Sequence, residues 1–152
     1  MSCPGRPRRI LAVCLGNHCR SPLAAAILTT LAPYGAEARS AGLRDRLVGQ
    51  PASPLMIAAA ATFGFDLSRH LGAQVTPGMI DWADIVLAMD EAVLGELREL
   101  AGQSAAAKPQ RYLADADVPD PFGHAYDAYI DCVRLMREGA AQPAPARRPG
   151  AY

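Results

Sequence analysis

Residues 14–22 bring a cysteine, an arginine and a serine close together in the chain. The stretch reads Cys-Leu-Gly-Asn-His-Cys-Arg-Ser-Pro, and it joins an apolar run to a segment with helical spacing. Backbone N–H groups at a helix N-terminus form a cradle for an anion, and the helix dipole stabilises the negative charge. A cysteine at such a position is favoured as its thiolate, the nucleophilic form. The stretch therefore predicts a phosphate-binding loop with Cys14 as a covalent nucleophile.

The spacing within this loop assigns further roles. Arg20 follows Cys14 in a Cys-x5-Arg pattern, and its planar guanidinium matches two phosphate oxygens. Ser21 can donate a hydrogen bond to the thiolate, which would stabilise it both as nucleophile and as leaving group. We expect the phosphate-binding residues to be Leu15, Gly16, Asn17, His18, Cys19, Arg20 and Ser21. The alternative interpretation is an inert buried cysteine beside a surface arginine.

The elements that must position the loop alternate between short buried strands and helices. Apolar runs predict strands over residues 9–14, 36–41, 84–89 and 110–114. N-cap signals for four helices lie at Ser21-Pro22, Ser53-Pro54, Thr76-Pro77 and Asp90. A fifth helix is expected to end near residue 138. This alternation predicts an α/β sandwich with a parallel sheet, whose carboxyl edge carries the loop.

Length and charge restrict the class of protein. The chain has 152 residues, with 15 basic and 15 acidic side chains and a formal net charge of zero. That length fits one domain with a substantial core, and a neutral chain lacks the basic surface that polyanion binding requires. Apolar runs are far shorter than the roughly 18 residues of a membrane span. We therefore expect no nucleic-acid or membrane partner, and either a monomer or a weak dimer.

Composition along the chain predicts its domain organisation and compartment. Residues 1–8 are expected to be a loose leader, residues 9–138 one domain, and residues 139–152 a disordered tail rich in Ala, Pro and Arg. The cysteines, Cys3, Cys14, Cys19 and Cys132, form no Cys-x-x-Cys pair. Neither a disulfide scaffold nor a zinc site is predicted. We expect reduced thiols, a cytoplasmic location, no metal and no cofactor.

Several segments together resemble the low-molecular-weight protein tyrosine phosphatases of the bacterial type. They are VCLGNHCRSP at 13–22, Ser40-Ala41-Gly42, DIVLAMDE at 84–91 and VPDPFG at 118–123. The resemblance covers about residues 9–138. It implies a three-layer, Rossmann-like fold with a four-stranded parallel sheet, and the hydrolysis of phosphotyrosine in proteins.

The resemblance also implies roles for residues outside the loop. Asp120 matches the aspartate of the family's Asp-Pro motif, the general acid, and the following proline holds it extended. Asn17, Ser40 and His70 match a network that supports the loop; a surface histidine is the alternative for His70. Asp115 and Asp117 are interpreted as solvated loop carboxylates.

These residues together define a metal-free mechanism as a hypothesis. Cys14 attacks phosphorus while Arg20 and the loop amides hold the oxygens, and Asp120 protonates the leaving group. Asp120 then activates the water that hydrolyses the phosphocysteine. A disulfide between Cys14 and Cys19 would block the nucleophile reversibly; the alternative for Cys19 is a small buried thiol.

The predicted substrate pocket departs from the family pattern. We expect its wall to contain His18, Arg46, Leu47 and Phe122, whereas the family usually has an aromatic residue before its Val-Gly pair. The Asp-Pro-Phe-Gly form resembles a bacterial branch that includes protein-arginine phosphatases. Phosphotyrosine is the leading substrate and phosphoarginine the alternative.

An arsenate reductase is disfavoured because residues 76–110 contain no relay cysteine, and a non-catalytic phosphate-binding module because Cys14 and Asp120 are both present.

Overall fold

The computed structural model describes residues 7–31, 35–105 and 108–141. The strands are β1 (Arg8–Cys14), β2 (Ala36–Gly42), β3 (Ile85–Ala88) and β4 (Pro109–Arg111). The helices are α1 (Arg20–Leu31), α2 (Pro54–Thr62), α3 (Pro77–Trp82), α4 (Glu91–Ala101) and α5 (Tyr126–Ala141), with a 3-10 turn at Gln103–Ala105. Residues 1–6 of the predicted leader, including Cys3, and residues 142–152 of the predicted tail lie outside the described residues.

The four strands form one parallel sheet in the order β2-β1-β3-β4. Strand β1 is central and lies between β2 and β3. The strand order therefore reverses at the carboxyl end of β1, the position where ligands bind in open α/β sheets. The predicted loop leaves the sheet at this point.

Side chains of β1 alternate between two core layers. Ala12 and Cys14 pack into a cluster with residues of α1, α2 and α5, whereas Leu11 and Val13 join a cluster with residues of α3 and α4. Because successive side chains of a strand point to opposite faces, helices cover both sides of the sheet. This confirms the predicted three-layer sandwich. No helix within the described ranges is long and apolar enough to span a membrane.

Several element boundaries differ from those predicted. Strand β4 covers Pro109–Arg111 rather than 110–114, because a bridge between Leu113 and Ala116 already turns the chain back on itself. Helix α5 continues to Ala141, and its Gly139 passes close to Leu113 and Tyr112. Residue 8 of the predicted leader belongs to β1 and residues 139–141 of the predicted tail to α5.

Candidate active site

The loop between β1 and α1 begins at Cys14 and ends at Arg20. The backbone carbonyl of Cys19 accepts a hydrogen bond from the N–H of Leu23 at 3.3 Å, so Cys19 occupies the N-cap position and α1 starts at Arg20. The prediction that Ser21 is the N-cap was wrong. Ser21 lies inside the first turn, and its hydroxyl is directed to the loop instead: Ser21 Oγ lies 3.0 Å from Cys14 Sγ.

Three carbonyl groups of the loop are directed outwards, to donors on other segments of the chain. Each accepts a hydrogen bond at 3.0 Å: Leu15 O from Arg44 N, Asn17 O from His70 Nε2, and His18 O from Ser53 N. In a trans peptide the N–H points away from the C=O of the same unit. The amides that follow these carbonyls, those of Gly16, His18 and Cys19, therefore face the centre of the loop, where they can bind an anion.

Asn17 holds this curled conformation. Its φ angle is +54°, a left-handed conformation that asparagine tolerates better than most residues. Its Nδ2 donates to Ser21 Oγ at 2.8 Å and to Ser40 Oγ at 3.0 Å, while its Oδ1 accepts from the N–H of Ala73 at 2.8 Å. His70 donates to the Asn17 carbonyl. The predicted supporting residues Asn17, Ser40 and His70 thus form one hydrogen-bonded network.

Gly42, the last residue of β2, makes room for the loop. A Cβ atom at this position would lie 2.8 Å from Asn17 N and 2.9 Å from the carbonyl carbon of Gly16. Real Cβ atoms do not approach backbone atoms this closely, so any side chain would displace the loop. The close approach gives a physical reason for the glycine of the Ser40-Ala41-Gly42 segment.

Arg20 is buried at 4% exposure, and three groups surround its guanidinium. One terminal nitrogen donates to Asp90 Oδ2 at 2.8 Å and to the carbonyl of Val118 at 2.9 Å. The other lies 3.8 Å from Asp120 Oδ2. Burial opposes the charged form, but the hydrogen bond to Asp90 and the charges of Cys14 and Asp120 raise the pKa of Arg20 above its ordinary value.

Asp90 therefore has a role that sequence reasoning missed. Its Oδ1 caps α4 as predicted, accepting from Val93 N at 2.9 Å, while its other oxygen orients Arg20. Partial burial works against ionisation, but the hydrogen bonds from Val93 and Arg20 lower the pKa of Asp90. One signal was available: Asp90 follows β3, so it lies at the same carboxyl edge of the sheet as Cys14.

Asp120 lies at the mouth of the loop on a segment that precedes α5. Its Oδ1 accepts from the N–H of Phe122 at 3.1 Å, and half of its side chain remains exposed, at 50%. Asp117, interpreted as a solvated loop carboxylate, keeps half of its side chain exposed, and its Oδ1 also accepts from Glu91 N at 3.0 Å and lies 3.3 Å from an Arg111 nitrogen.

A cavity of about 400 Å³ contains Cys14 and Asp120 in its lining. Residues 15, 16 and 18–20 of the loop also line it, together with Arg44, Arg46, Leu47 and Phe122. The predicted wall residues His18, Arg46, Leu47 and Phe122 all border this cavity, and the rings of His18 and Phe122 meet edge to face at 5.8 Å. Asn17 and Ser21, predicted to bind phosphate, are not in the lining; both contact the Cys14 sulfur.

The cysteines of the described residues, Cys14, Cys19 and Cys132, are free and buried. Burial, with the nearby charges of Asp120 and Cys14, raises the pKa of Cys19 to about 12. Burial likewise raises the pKa of Cys132 to about 12. Neither thiol is therefore ionised near neutral pH. Within residues 7–31, 35–105 and 108–141, no group of three or more His, Cys, Asp or Glu side chains is arranged to hold a metal ion.

Comparison with known proteins relates this geometry to one family. The sequence model described as "Low molecular weight phosphotyrosine protein phosphatase" matches residues 9–145. The low-molecular-weight protein-tyrosine-phosphatase Etp of Escherichia coli K12 is 33% identical over 135 residues, covering 88% of this chain and 89% of that protein. A protein-arginine-phosphatase of Geobacillus stearothermophilus is 35% identical over 127 residues, covering 81% and 84%. The structure of Vibrio vulnificus Wzb in complex with benzylphosphonate superposes with a TM-score of 0.82 at 30% identity, covering 89% and 95%.

Proposed function

The chain belongs to the low-molecular-weight phosphotyrosine protein phosphatase family, and we propose that it hydrolyses phosphotyrosine in proteins through a phosphocysteine on Cys14. One observation carries the mechanism. The sulfur of Cys14 lies 3.0 Å from Ser21 Oγ and 3.2 Å from the N–H of Asn17, in a cavity that Arg20 and Asp120 also line. A nucleophile, an anion cradle and an acid thus share one cavity.

In the first step, the Cys14 thiolate attacks phosphorus and the bond from phosphorus to the tyrosine oxygen breaks. The inward amides and the second nitrogen of Arg20 stabilise the three equatorial oxygens, which carry the spreading charge. Asp120 transfers its proton to the departing phenolate oxygen. The ion pair of Arg20 with Asp90 fixes the guanidinium before the substrate arrives, so less reorganisation accompanies the reaction.

In the second step, water attacks the phosphocysteine and the bond from phosphorus to sulfur breaks. Asp120, now a carboxylate, takes the proton of that water. The electron pair returns to the Cys14 sulfur, and the hydroxyl of Ser21 donates to the leaving thiolate. Inorganic phosphate leaves the loop, and the enzyme returns to its starting state without a metal or a cofactor.

The test of these roles uses two substitutions and a series of aryl phosphates. Cys14→Ser is expected to abolish turnover, because a serine hydroxyl is a far weaker nucleophile and no group in this loop serves as its general base. Asp120→Asn is expected to slow substrates with poor leaving groups more than those with good ones. Equal losses across the series would remove Asp120 from the acid role, and metal-independent inhibition by orthovanadate is expected for the wild type.

Phosphoarginine is a second candidate substrate. It is favoured by the 35% identity to the Geobacillus protein-arginine-phosphatase and by the absence of an aromatic side chain at residues 44–47. Initial rates on matched phosphotyrosine and phosphoarginine peptides decide between the two. Faster turnover of the phosphoarginine peptide would show that phosphoarginine, and not phosphotyrosine, is the preferred substrate.

We also propose that Cys14 is oxidised reversibly. Peroxide would convert the thiolate to a sulfenic acid, and attack by the Cys19 sulfur would release water and form a disulfide. Because burial keeps Cys19 protonated, we expect this resolution to be slow. Thiol reagents are expected to restore activity after mild peroxide treatment in the wild type but not in Cys19→Ser.

The cytoplasmic location predicted from the sequence is tested by cell fractionation.

A further inference from the structure

Three arginines border the cavity, and they differ in whether other groups of the chain accept hydrogen bonds from their guanidinium. Arg20 donates to Asp90 and to the Val118 carbonyl. Arg44 donates both terminal nitrogens to the carboxylate of Glu96, at 3.0 and 3.1 Å. Arg46 is exposed and lines the cavity, and no hydrogen bond or ion pair joins it to any other residue in the described part of the chain.

No carboxylate within the described residues forms an ion pair with the Arg46 guanidinium. Asp120 is the carboxylate in the cavity lining, and it lies 3.8 Å from the guanidinium of Arg20. Asp45 precedes Arg46 in the chain but is not part of the lining. The protein as a whole carries a formal net charge of zero, so this positive charge belongs to the rim of the cavity and not to a generally basic surface.

Building on the proposed function, we propose that Arg46 binds an acidic side chain next to the phosphorylated residue of the substrate protein. The phosphate itself is already surrounded by the loop amides and Arg20. An exposed arginine on a long side chain at the rim lies instead where the residues flanking a bound phosphotyrosine must pass. A carboxylate there gains charge-assisted hydrogen bonds to the guanidinium.

Glu96 distinguishes Arg44 from Arg46, because it pairs with Arg44 alone. Both side chains line the cavity, but the bidentate contact with Glu96 occupies the two nitrogens that Arg44 would present to a substrate carboxylate. Removal of the Glu96 charge would release Arg44 for the same purpose. The preference for acidic substrates is therefore expected to weaken in Arg46→Gln and to strengthen in Glu96→Gln.

The experiment measures a ratio of kcat/KM values for two peptides with the same phosphorylated residue. One peptide has glutamate at the flanking positions and the other has glutamine. Because an exposed ion pair contributes roughly 0.2–1 kcal/mol, the wild type is expected to favour the glutamate peptide by about 1.4-fold to fivefold at low salt. Arg46→Gln is expected to abolish this preference, and raising the ionic strength is expected to reduce it in the wild type.

Arg98→Gln is the matched control, because Arg98 is an exposed arginine of α4 that does not line the cavity. It changes the net charge equally and is expected to leave the ratio unchanged. A ratio near one in the wild type, or a preference that survives Arg46→Gln, would overturn the inference while leaving the phosphatase activity established. Failure of the wild type to hydrolyse either peptide would overturn the proposed function and this inference with it.

Discussion

The phosphate loop and the rim of its cavity are built in opposite ways. In the loop, Cys14, Asn17, Cys19 and Arg20 are each no more than 4% exposed, and hydrogen bonds tie them to distant parts of the chain. On the rim, Phe122 is 63% exposed and Asp120 keeps half of its side chain in solvent. The groups that hold phosphate are therefore fixed before binding, whereas the groups that meet the rest of the substrate remain in contact with water.

This difference separates the binding of phosphate from the contacts with the rest of the substrate. A change in the loop leaves buried polar groups without partners, which costs about 1–3 kcal/mol for each group. A change on the rim removes a contact with little effect on folding, since exposed substitutions usually stay within about 0.5 kcal/mol. Residues of the rim other than Asp120 can therefore be replaced at a lower cost in stability than residues of the loop.

The largest expected effect comes from replacing the buried arginine of the loop. Arg20→Lys retains the charge but loses the planar guanidinium, which donates to Asp90 and Val118 through one nitrogen and presents the other to the phosphate, so we expect kcat/KM to fall by about 100-fold to 1000-fold. Arg44→Lys is the matched change on the rim and is expected to lower kcat/KM by no more than about fivefold. Steady-state kinetics with an aryl phosphate measure both. Similar losses in the two variants would contradict the division between loop and rim.

The next effect concerns the stability of the loop. Asn17→Ala removes three side-chain hydrogen bonds and leaves alanine at a φ of +54°. We expect the free energy of unfolding in urea to fall by about 2–4 kcal/mol, together with a loss of kcat. Ser40→Ala removes only one of these bonds and is expected to cost about 1 kcal/mol. Equal stability of Asn17→Ala and the wild type would show that the network does not hold the loop.

The positions of the sheet and of the loop were predictable because local patterns determine them. Apolar runs of strand length and Ser-Pro, Thr-Pro or Asp signals for helix starts give the order of the elements, and a parallel order brings the loop to the carboxyl edge. The contacts of Arg20 were not predictable in the same way. They join residues 70 and 98 positions apart in the chain, and a backbone carbonyl such as that of Val118 has no signal in the sequence.

The misplaced start of α1 has a related cause. Ser21-Pro22 has the sequence of an N-cap followed by a first-turn proline, yet Cys19 provides the cap and Ser21 contacts Cys14, Asn17 and the Ala41 carbonyl. Proline is tolerated throughout the first turn, where the N–H groups have no partner within the helix. The local signal is thus compatible with either start, and the contacts of Ser21 outside the helix decide between them.

A smaller effect is expected from replacing Asp90, which lies outside the loop and orients Arg20. Asp90→Ser keeps a capping oxygen for α4 but removes the acceptor for Arg20, so we expect kcat/KM to fall by about tenfold. Thr76→Ala, which removes the cap of α3 provided by Thr76 Oγ1, is the control that weakens a helix end elsewhere. It is expected to lower stability by about 1 kcal/mol without a comparable loss of kcat/KM.

Asp90 also predicts how stability depends on pH. Its pKa is lower in the folded protein than its ordinary value, because Val93 and Arg20 donate to the carboxylate against the effect of partial burial. Its contribution to stability is therefore fully present above about pH 4, the ordinary range of an aspartate, and is lost as the pH falls through the folded-state pKa. Urea midpoints between pH 3 and pH 7 are expected to vary less in Asp90→Ser than in the wild type. Parallel profiles would contradict the assignment.

The smallest effect is expected at the exposed ring of the rim. Phe122 contacts His18 edge to face at 5.8 Å, and its backbone N–H, which any residue can supply, donates to Asp120. Phe122→Ala therefore removes an aromatic surface for the substrate while preserving the turn that holds the acid. Aromatic pairs contribute about 0.5–1.5 kcal/mol, so KM for an aryl phosphate is expected to rise by about twofold to tenfold, with kcat and the urea midpoint nearly unchanged. Phe122→Leu keeps apolar bulk and is expected to show a smaller rise. A loss of kcat as large as that of Arg20→Lys would mean that the rim positions the acid as firmly as the loop positions phosphate, and the contrast between the two regions would fail.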